Sequence, residues 1–387
     1  MRIDYASSAM DAQDFTKLFE NNPRMPGQQA QKYNRLMIQG LAENGAEVRA
    51  VTARPVTGAN CRSKFLPVQD ARREKVQYHY CSVLNIKGVK VIWQTLTSFF
   101  TVLLGGCDAV VTDVLNASVA YGAVTAARLR KKPCIGIVTD LPELMVTGTN
   151  QRHIQLVRKV MGKCTGYVLL TEAMEEPVNP ENKPYVIVEA LCDSEIKLQE
   201  ARKKRDDHTK KCMYAGLLDA RYGVKDMVDG FVLADMPDAE LHIYGSGPYV
   251  EELQKTVQQH PNVIYHGTAM NDEVVRAEID ADLLINPRPT HEEFTKYSFP
   301  SKNMEYMASG TPVLTTNLPG MPEDYKPYVY LIKDESVQGI AEALEQTLSL
   351  DAEMREKKGR AAQRFVLESK NNIAQSKKVI RIIGVSE

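Results

Sequence analysis

The 387-residue sequence has little aromatic character, 7% with a single tryptophan. It also has no apolar run of the 18–20 or so residues needed to cross a bilayer. Its longest apolar stretch, Val91 to Leu104, is interrupted by Gln94, Thr95, Thr97, Ser98 and Thr101. Neither sign of charge is in excess: 48 Lys+Arg stand against 49 Asp+Glu, which argues against a dedicated nucleic-acid binder. A cysteine framework is missing as well. The seven cysteines, at positions 61, 81, 107, 134, 164, 192 and 212, are odd in number and never fall in a C-x-x-C spacing. That pattern disfavours a disulfide scaffold or a structural zinc site, and buried free thiols are expected. The opening MRIDYASSAM puts Asp4 where a signal peptide would build its apolar stretch, so a cytoplasmic, unprocessed chain is the expectation.

What is present is unevenly placed. Residues 1–164 carry 22 Lys+Arg against 12 Asp+Glu, and the remainder 26 against 37. Either two solvated surfaces differ in composition, or the basic half faces something anionic, such as a membrane surface or a phosphorylated acceptor. The cluster Arg128, Arg130, Lys131 and Lys132 reads as a helix end favoured by the dipole, or as a membrane patch.

Short apolar runs alternate with segments of helical period. In the first half, strands are expected at 2–7, 47–52, 76–82, 108–112, 134–139, 165–170 and 184–188, with helices at 28–44, 89–104, 117–129 and 151–162. In the second half, strands are expected at 211–217, 240–244, 262–266, 282–286, 312–315 and 329–332, with helices at 224–234, 249–260, 272–279 and 302–309. Alternation of this kind predicts an α/β protein with parallel sheets covered by helices on both faces. The stretch DSEIKLQEARKKRDDHTKK, from 193, is nearly devoid of apolar residues and reads as a solvated linker. The expected organisation is a domain at 1–192, a linker at 193–210, a second domain at 211–365 and a C-terminal helix at 366–387.

The most informative stretch is TKYSFPSKNMEYMASGTPVLTTNLPGMPEDY, residues 295–325. Phe299-Pro300-Ser301 is a helix-entry signal, and the helix should stop at Gly310. Lys302, in the first turn, has the wrong sign for a structural cap but the right one beside an anion, which the free N–H groups of a helix start also favour. Met304 and Met307 should face inward. Asp280-Ala-Asp282 runs directly into an apolar strand, so a helix end and strand start is a better reading than a metal-binding D-x-D.

Glu305-Tyr-Met-Ala-Ser-Gly310-Thr-Pro312-Val313 resembles the second half of the signature of retaining glycosyltransferases with two Rossmann-like domains facing a cleft, the GT-B fold. The likeness is to glycosyltransferase family 4, in the bacterial branch that builds capsules, exopolysaccharides and lipid-linked glycans. Tyr214-Ala-Gly216-Leu-Leu…Arg221…Lys225 resembles the family's strand–glycine–loop with a basic pair on the diphosphate. Ile243-Tyr-Gly245-Ser-Gly247-Pro248 matches its I-x-G-x-G-P element, and Asn262–Gly267 the strand before the loop holding the base. The departures are Tyr297, where the family has its first glutamate, and Asp226, where it has glycine after the lysine.

The resemblance implies Arg221 and Lys225 as catalytic cations. It implies Gly216, Gly245, Gly247, Thr268, Tyr297, Ser301, Lys302 and Glu305 as donor-binding positions, with Glu305 on the ribose. Asp140, after the strand expected at 134–139, is read as an acceptor-side catalytic residue or a capping residue. Asn22–Gln29 is read as an acceptor or phosphate loop. The implied reaction transfers a sugar from a nucleoside-diphosphate sugar, a UDP-sugar ahead of a GDP-sugar, to a glycan or lipid-linked acceptor. Neither a cofactor nor a metal is expected, no nucleic acid is a partner, and the site of action is the cytoplasm or the inner face of the cytoplasmic membrane. The alternatives are a nucleotide-sugar epimerase of the same fold and a degenerate transferase acting as a binding subunit. The last helix is expected to cross back to the first domain, as it does in the family.

Overall fold

A computed structural model describes residues 1–20, 22, 25–26, 28–144, 150–198 and 209–385. The Asn22–Gln29 loop and the 193–210 linker therefore lie partly outside the described residues. The chain divides into two compact units, Met1–Leu191 with Asn371–Glu387, and Cys192–Lys370.

In the first unit, the strand order is Tyr185–Ile187, Gly166–Leu169, Cys134–Val138, Ala109–Asp113, Arg2–Ser7, Glu47–Thr52, Val76–Tyr80, Gln69–Arg73. Every pairing is parallel except the last, a hairpin turned through Glu74 in the left-handed region. The central strands are buried on both faces, as a parallel sheet covered by helices requires; Ala109–Asp113 and Cys134–Val138 are buried at every residue. The core runs from Ile3 and Tyr5 through Met37 and Leu41 to Val379 and Ile383, so the helix Asn372–Val385 closes this unit against Gln28–Glu43.

The second unit has six parallel strands in the order Val263–Gly267, Ala239–Ser246, Lys210–Leu217, Leu283–Asn286, Val313–Thr316, Tyr330–Ile332. Numbered along the chain this is 3-2-1-4-5-6, the doubly wound order, whose direction reverses between the first strand and the fourth. The first unit follows the same plan, reversing between Arg2–Ser7 and Ala109–Asp113. At such a reversal the connecting helices diverge to opposite faces and leave a crevice at the carboxyl ends of the strands.

Every strand expected from the sequence is present within two residues of its expected ends. Gly310 terminates Ser301–Ser309 in the left-handed conformation, and Met304 and Met307 are buried. Asp280 ends its helix, and the Asp282 carboxylate accepts the Lys211 backbone N–H at 2.8 Å; both acids anchor the neighbouring strand. Six cysteines are buried and Cys61 partly so, all with free thiols. One boundary differs. Position 365/366 falls inside the helix Ala352–Ser369, and the chain breaks instead at Lys370–Asn371, where the Asn371 side chain accepts the Ala374 N–H and starts the last helix. Among the described residues no helix is long and apolar enough to cross a membrane.

Candidate functional site at the strand ends

The crevice of the second unit is built from close backbone approaches. Gly216 pairs with Gly245 at the ends of adjacent strands. A methyl group on Gly245, whose φ is +133°, would sit 1.8 Å from the Gly216 carbonyl oxygen. Only glycine lets these two strand ends come together, and the backbone is left bare toward the crevice. Across the reversal, a methyl on Gly223 would lie 2.1 Å from the Pro287 carbonyl oxygen, so the loops after the first and fourth strands abut.

Lys302 enters this space. A methyl on Gly216 would meet its Cε at 2.5 Å, which places the lysine chain over the glycine. The helix that carries it is fixed at three points. The Tyr306 hydroxyl donates to the Ala215 carbonyl (3.3 Å) and accepts the Ala215 N–H (2.9 Å), while Asn286 Nδ2 donates to Asn303 Oδ1 at 2.7 Å. The start of Ser301–Ser309 has Pro300 as its cap and no side-chain acceptor on its first N–H groups. A helix start without a side-chain cap, its positive dipole end and an ammonium group together suit an anion.

The other expected residues are placed as follows. Arg221 lies in the turn Ala220–Tyr222 and grips Asp219 through Nε (3.2 Å) and Nη2 (2.6 Å). That hydrogen-bonded pair holds the Asp219 carboxyl below its ordinary range. Lys225 is bound by Glu252 at 2.6 Å and Asp229 at 3.2 Å, which raises its pKa. A diphosphate would have to draw both cations from these carboxylates. Gly247 seats the next turn against the Leu218 carbonyl, Thr268 follows the strand Val263–Gly267 and is exposed, and Tyr297 ends the turn Glu293–Lys296 and is partly buried. Glu305 is partly buried one turn past Lys302, and Ser301 is exposed at the helix start. The structure thus brings Gly216, Gly245 and Lys302 together, with Glu305 on the same helix; Arg221 and Lys225 stand in ion pairs of their own.

Two features escape the sequence reading. Arg288 follows the fourth strand and stacks over Tyr222 (4.9 Å) and Phe294 (5.6 Å), a cation spanning the reversal point. Its signal was its place two residues beyond a strand end, which acquires meaning only once the strand order is known. In the first unit, Asp113 ends the strand beside Arg2–Ser7. Its carboxylate accepts from Asn34 Nδ2 (3.0 Å), the Leu115 N–H (3.0 Å) and Asn116 Nδ2 (2.5 Å). Burial nevertheless raises its pKa, against those bonds. Asp140 lies one strand further out, just past Cys134–Val138, and is exposed.

Residues 195–365 match the family of glycosyl transferases, group 1. This matched segment makes up less than half of the chain. It holds every element of the second-unit crevice described above. A curated relative, the sulfoquinovosyl transferase SQD2 of Arabidopsis thaliana, is 29% identical over 136 residues. That match covers 34% of this chain and 25% of the relative, so the chain spans about a quarter of that protein in sequence. Over the whole length the structure superposes on sucrose-phosphate synthase from Thermosynechococcus elongatus, with TM-score 0.68, 13% identity and full coverage of both chains. It also superposes on Anabaena HepE in complex with UDP, with TM-score 0.64, 11% identity and full coverage of both. At these identities the likeness is one of fold, and the fold is GT-B.

Proposed function

We propose that the protein is a retaining glycosyltransferase that moves a sugar from a nucleoside-diphosphate sugar to a hydroxyl of a glycan or lipid-linked acceptor. It works at the cytoplasmic face of the membrane, in polysaccharide or lipid-linked glycan assembly. The observation that carries this reading is Lys302 lying over Gly216 at the strand reversal, beside the start of Ser301–Ser309. As the bond from the anomeric carbon to the diphosphate breaks, its electrons pass to the phosphate oxygen, and a fixed ammonium with helix N–H groups stabilises that charge. The acceptor oxygen attacks the same face of the sugar, and its proton passes to the departing phosphate oxygen. No second carboxylate is needed for this retention, unlike the two-carboxylate route of glycosidases.

Arg221 and Lys225 are proposed to leave their carboxylates for the diphosphate, and Glu305 to accept from the ribose hydroxyls. A UDP-sugar is the favoured donor, supported by the UDP in the HepE structure. Charge compensation by these cations makes the reaction metal-independent, so turnover should persist in EDTA; a loss restored by Mg²⁺ or Mn²⁺ would refute this. A panel of nucleotide sugars, each with and without glycan acceptors, tests the reading as a whole. Acceptor-dependent release of nucleoside diphosphate is expected, with kcat lowered about 10²–10³-fold in Lys302→Ala, the scale of a lost electrostatic stabiliser. Conversion of the donor sugar without an acceptor would make the protein an epimerase instead.

A further inference from the structure

Helix Lys90–Gly105 in the first unit is built inside out. Its inward face buries two polar side chains, Gln94 and Ser98, beside Val102; Ser118 Oγ donates to Gln94 Oε1 at 2.9 Å, and Thr95 Oγ1 donates to the Ser118 carbonyl at 2.9 Å. This face lies directly on helix Ala117–Leu129, where a methyl on Gly122 would strike Ser98 Oγ and the Thr95 carbonyl, each at 2.2 Å. Small polar contacts between closely approaching helices are the packing of helices in lipid, where burying apolar groups against each other gains nothing. The outward face is apolar. Ile92 is 61% exposed, Leu96 48%, Phe100 52% and Leu104 81%. At four-residue spacing these side chains form a single stripe about 18 Å long. Phe65, Val68, Ile86 and Val89 are exposed beside it, Phe65 on a strand pair that also contacts the helix. Contiguous exposed apolar surface of this kind marks an interaction face.

Charge identifies the occupant. No acidic residue occurs between Glu74 and Asp108. Lys64, whose carbonyl accepts the Asn85 N–H at 2.7 Å, lies with exposed Arg62 and Lys87 at the start of the helix. The far end has no bare last-turn carbonyls at Thr101 and Val102, which accept from Arg49 Nη2 (3.1 Å) and Arg130 Nη1 (3.4 Å). Arg130, from the end of helix Ala117–Leu129, thereby caps this neighbouring helix. A second copy would set the same basic rim against itself, whereas an anionic lipid surface complements both the stripe and the rim. At 16 residues the helix is too short to span the bilayer and suited to lie in its surface.

We propose that the first unit docks on an anionic bilayer through the outward face of Lys90–Gly105, with Ile92, Leu96, Phe100 and Leu104 entering the acyl boundary. This rests on, and deepens, the membrane-face reading above by naming its contact surface. The chain's one tryptophan, Trp93, is on this helix and donates to Ser82 Oγ at 3.2 Å, so it reports the event without any substitution. The full chain would be mixed with vesicles of phosphatidylglycerol and phosphatidylcholine, or of phosphatidylcholine alone, and floated on a density gradient. Flotation with the anionic vesicles is expected, weakened by salt, with a blue shift of Trp93 emission and quenching by brominated acyl chains. The double substitution Leu96→Glu and Phe100→Glu should reduce the bound fraction about tenfold or more while leaving UDP affinity by calorimetry unchanged. The Trp93 quench on the unsubstituted protein carries the test if that variant misfolds. Absence of flotation, flotation with unchanged Trp93 emission, or a concentration-dependent dimer that the double variant abolishes would each overturn the proposal. Flotation by a protein that binds no nucleotide would leave the docking intact and refute the transferase reading.

Discussion

Two glycines on neighbouring strands face different obstacles, and the difference yields a test of the phosphate site. A methyl at 245 meets backbone, the Gly216 carbonyl oxygen at 1.8 Å, from a left-handed residue. Gly245→Ala should therefore cost about 2–4 kcal/mol, combining overpacking with the left-handed penalty. A methyl at 216 meets first the Cε of Lys302, at 2.5 Å, and then the Tyr214 hydroxyl at 2.8 Å. The lysine can swing aside, so Gly216→Ala should melt nearer the wild type yet bind UDP more weakly, because the ammonium is displaced. Thermal melts and calorimetry on the pair check this; a folded Gly216→Ala with unchanged UDP affinity would remove Lys302 from the phosphate site. Glu305→Ala belongs to the same scale. If Glu305 holds ribose hydroxyls in both the ground and the transition state, donor KM should rise more than kcat falls. An unchanged donor KM in the folded variant would take Glu305 out of the site.

Helix Ser301–Ser309 matters through its anchoring as well as through its first turn. The Tyr306 hydroxyl satisfies the buried Ala215 N–H and bonds its carbonyl, and burial raises the phenol's pKa well above its ordinary value, so it stays protonated. Tyr306→Phe leaves that N–H without its acceptor, at a cost of about 1–3 kcal/mol, and frees the helix to shift relative to Gly216. A lower melting point together with a raised donor KM is expected; a lower melting point alone would mean that the helix position does not set donor binding. This helix was legible in sequence because proline, apolar spacing and the terminal glycine all agree on it. Elements without such agreement were missed. Gln69–Arg73 pairs at the sheet edge, so its sequence QDARR needs no apolar alternation, and it is held by the register of its hairpin with Val76–Tyr80. Ala12–Phe19 buries only Phe15 and Phe19 over eight residues, too few for a period to emerge. The inside-out helix Lys90–Gly105 was placed correctly, but its polar residues read as interruptions of an apolar run. Only its packing on Ala117–Leu129 assigns Gln94 and Ser98 to the inward face.

At the scale of the molecule, the site depends on strand order, which periodicity does not encode. The elements were readable one by one, and the motifs around Gly216, Gly245 and Glu305 could be matched to a family. That Gly223 abuts Pro287, or that Arg288 stacks on Tyr222, follows only from placing the fourth strand beside the first. The same topology occurs in both units, and their charges differ: the first carries 26 Lys+Arg and 18 Asp+Glu, the second 22 and 31. Overall charge would therefore send a nucleoside diphosphate to the first unit, whereas the arrangement of Lys302 and the glycine pair sends it to the second. Local geometry should win, because screening at physiological salt confines the field of distant surface charges to roughly 8 Å. Hydrogen exchange with and without UDP decides between the two. Protection is expected in four separate segments of the second unit, at residues 215–223, 245–248, 286–289 and 301–306, which meet only at the strand reversal. Protection confined to one of these, or appearing instead around Asp113 and Asn116 in the first unit, would mean that the nucleotide follows charge and that the donor crevice has been assigned to the wrong sheet.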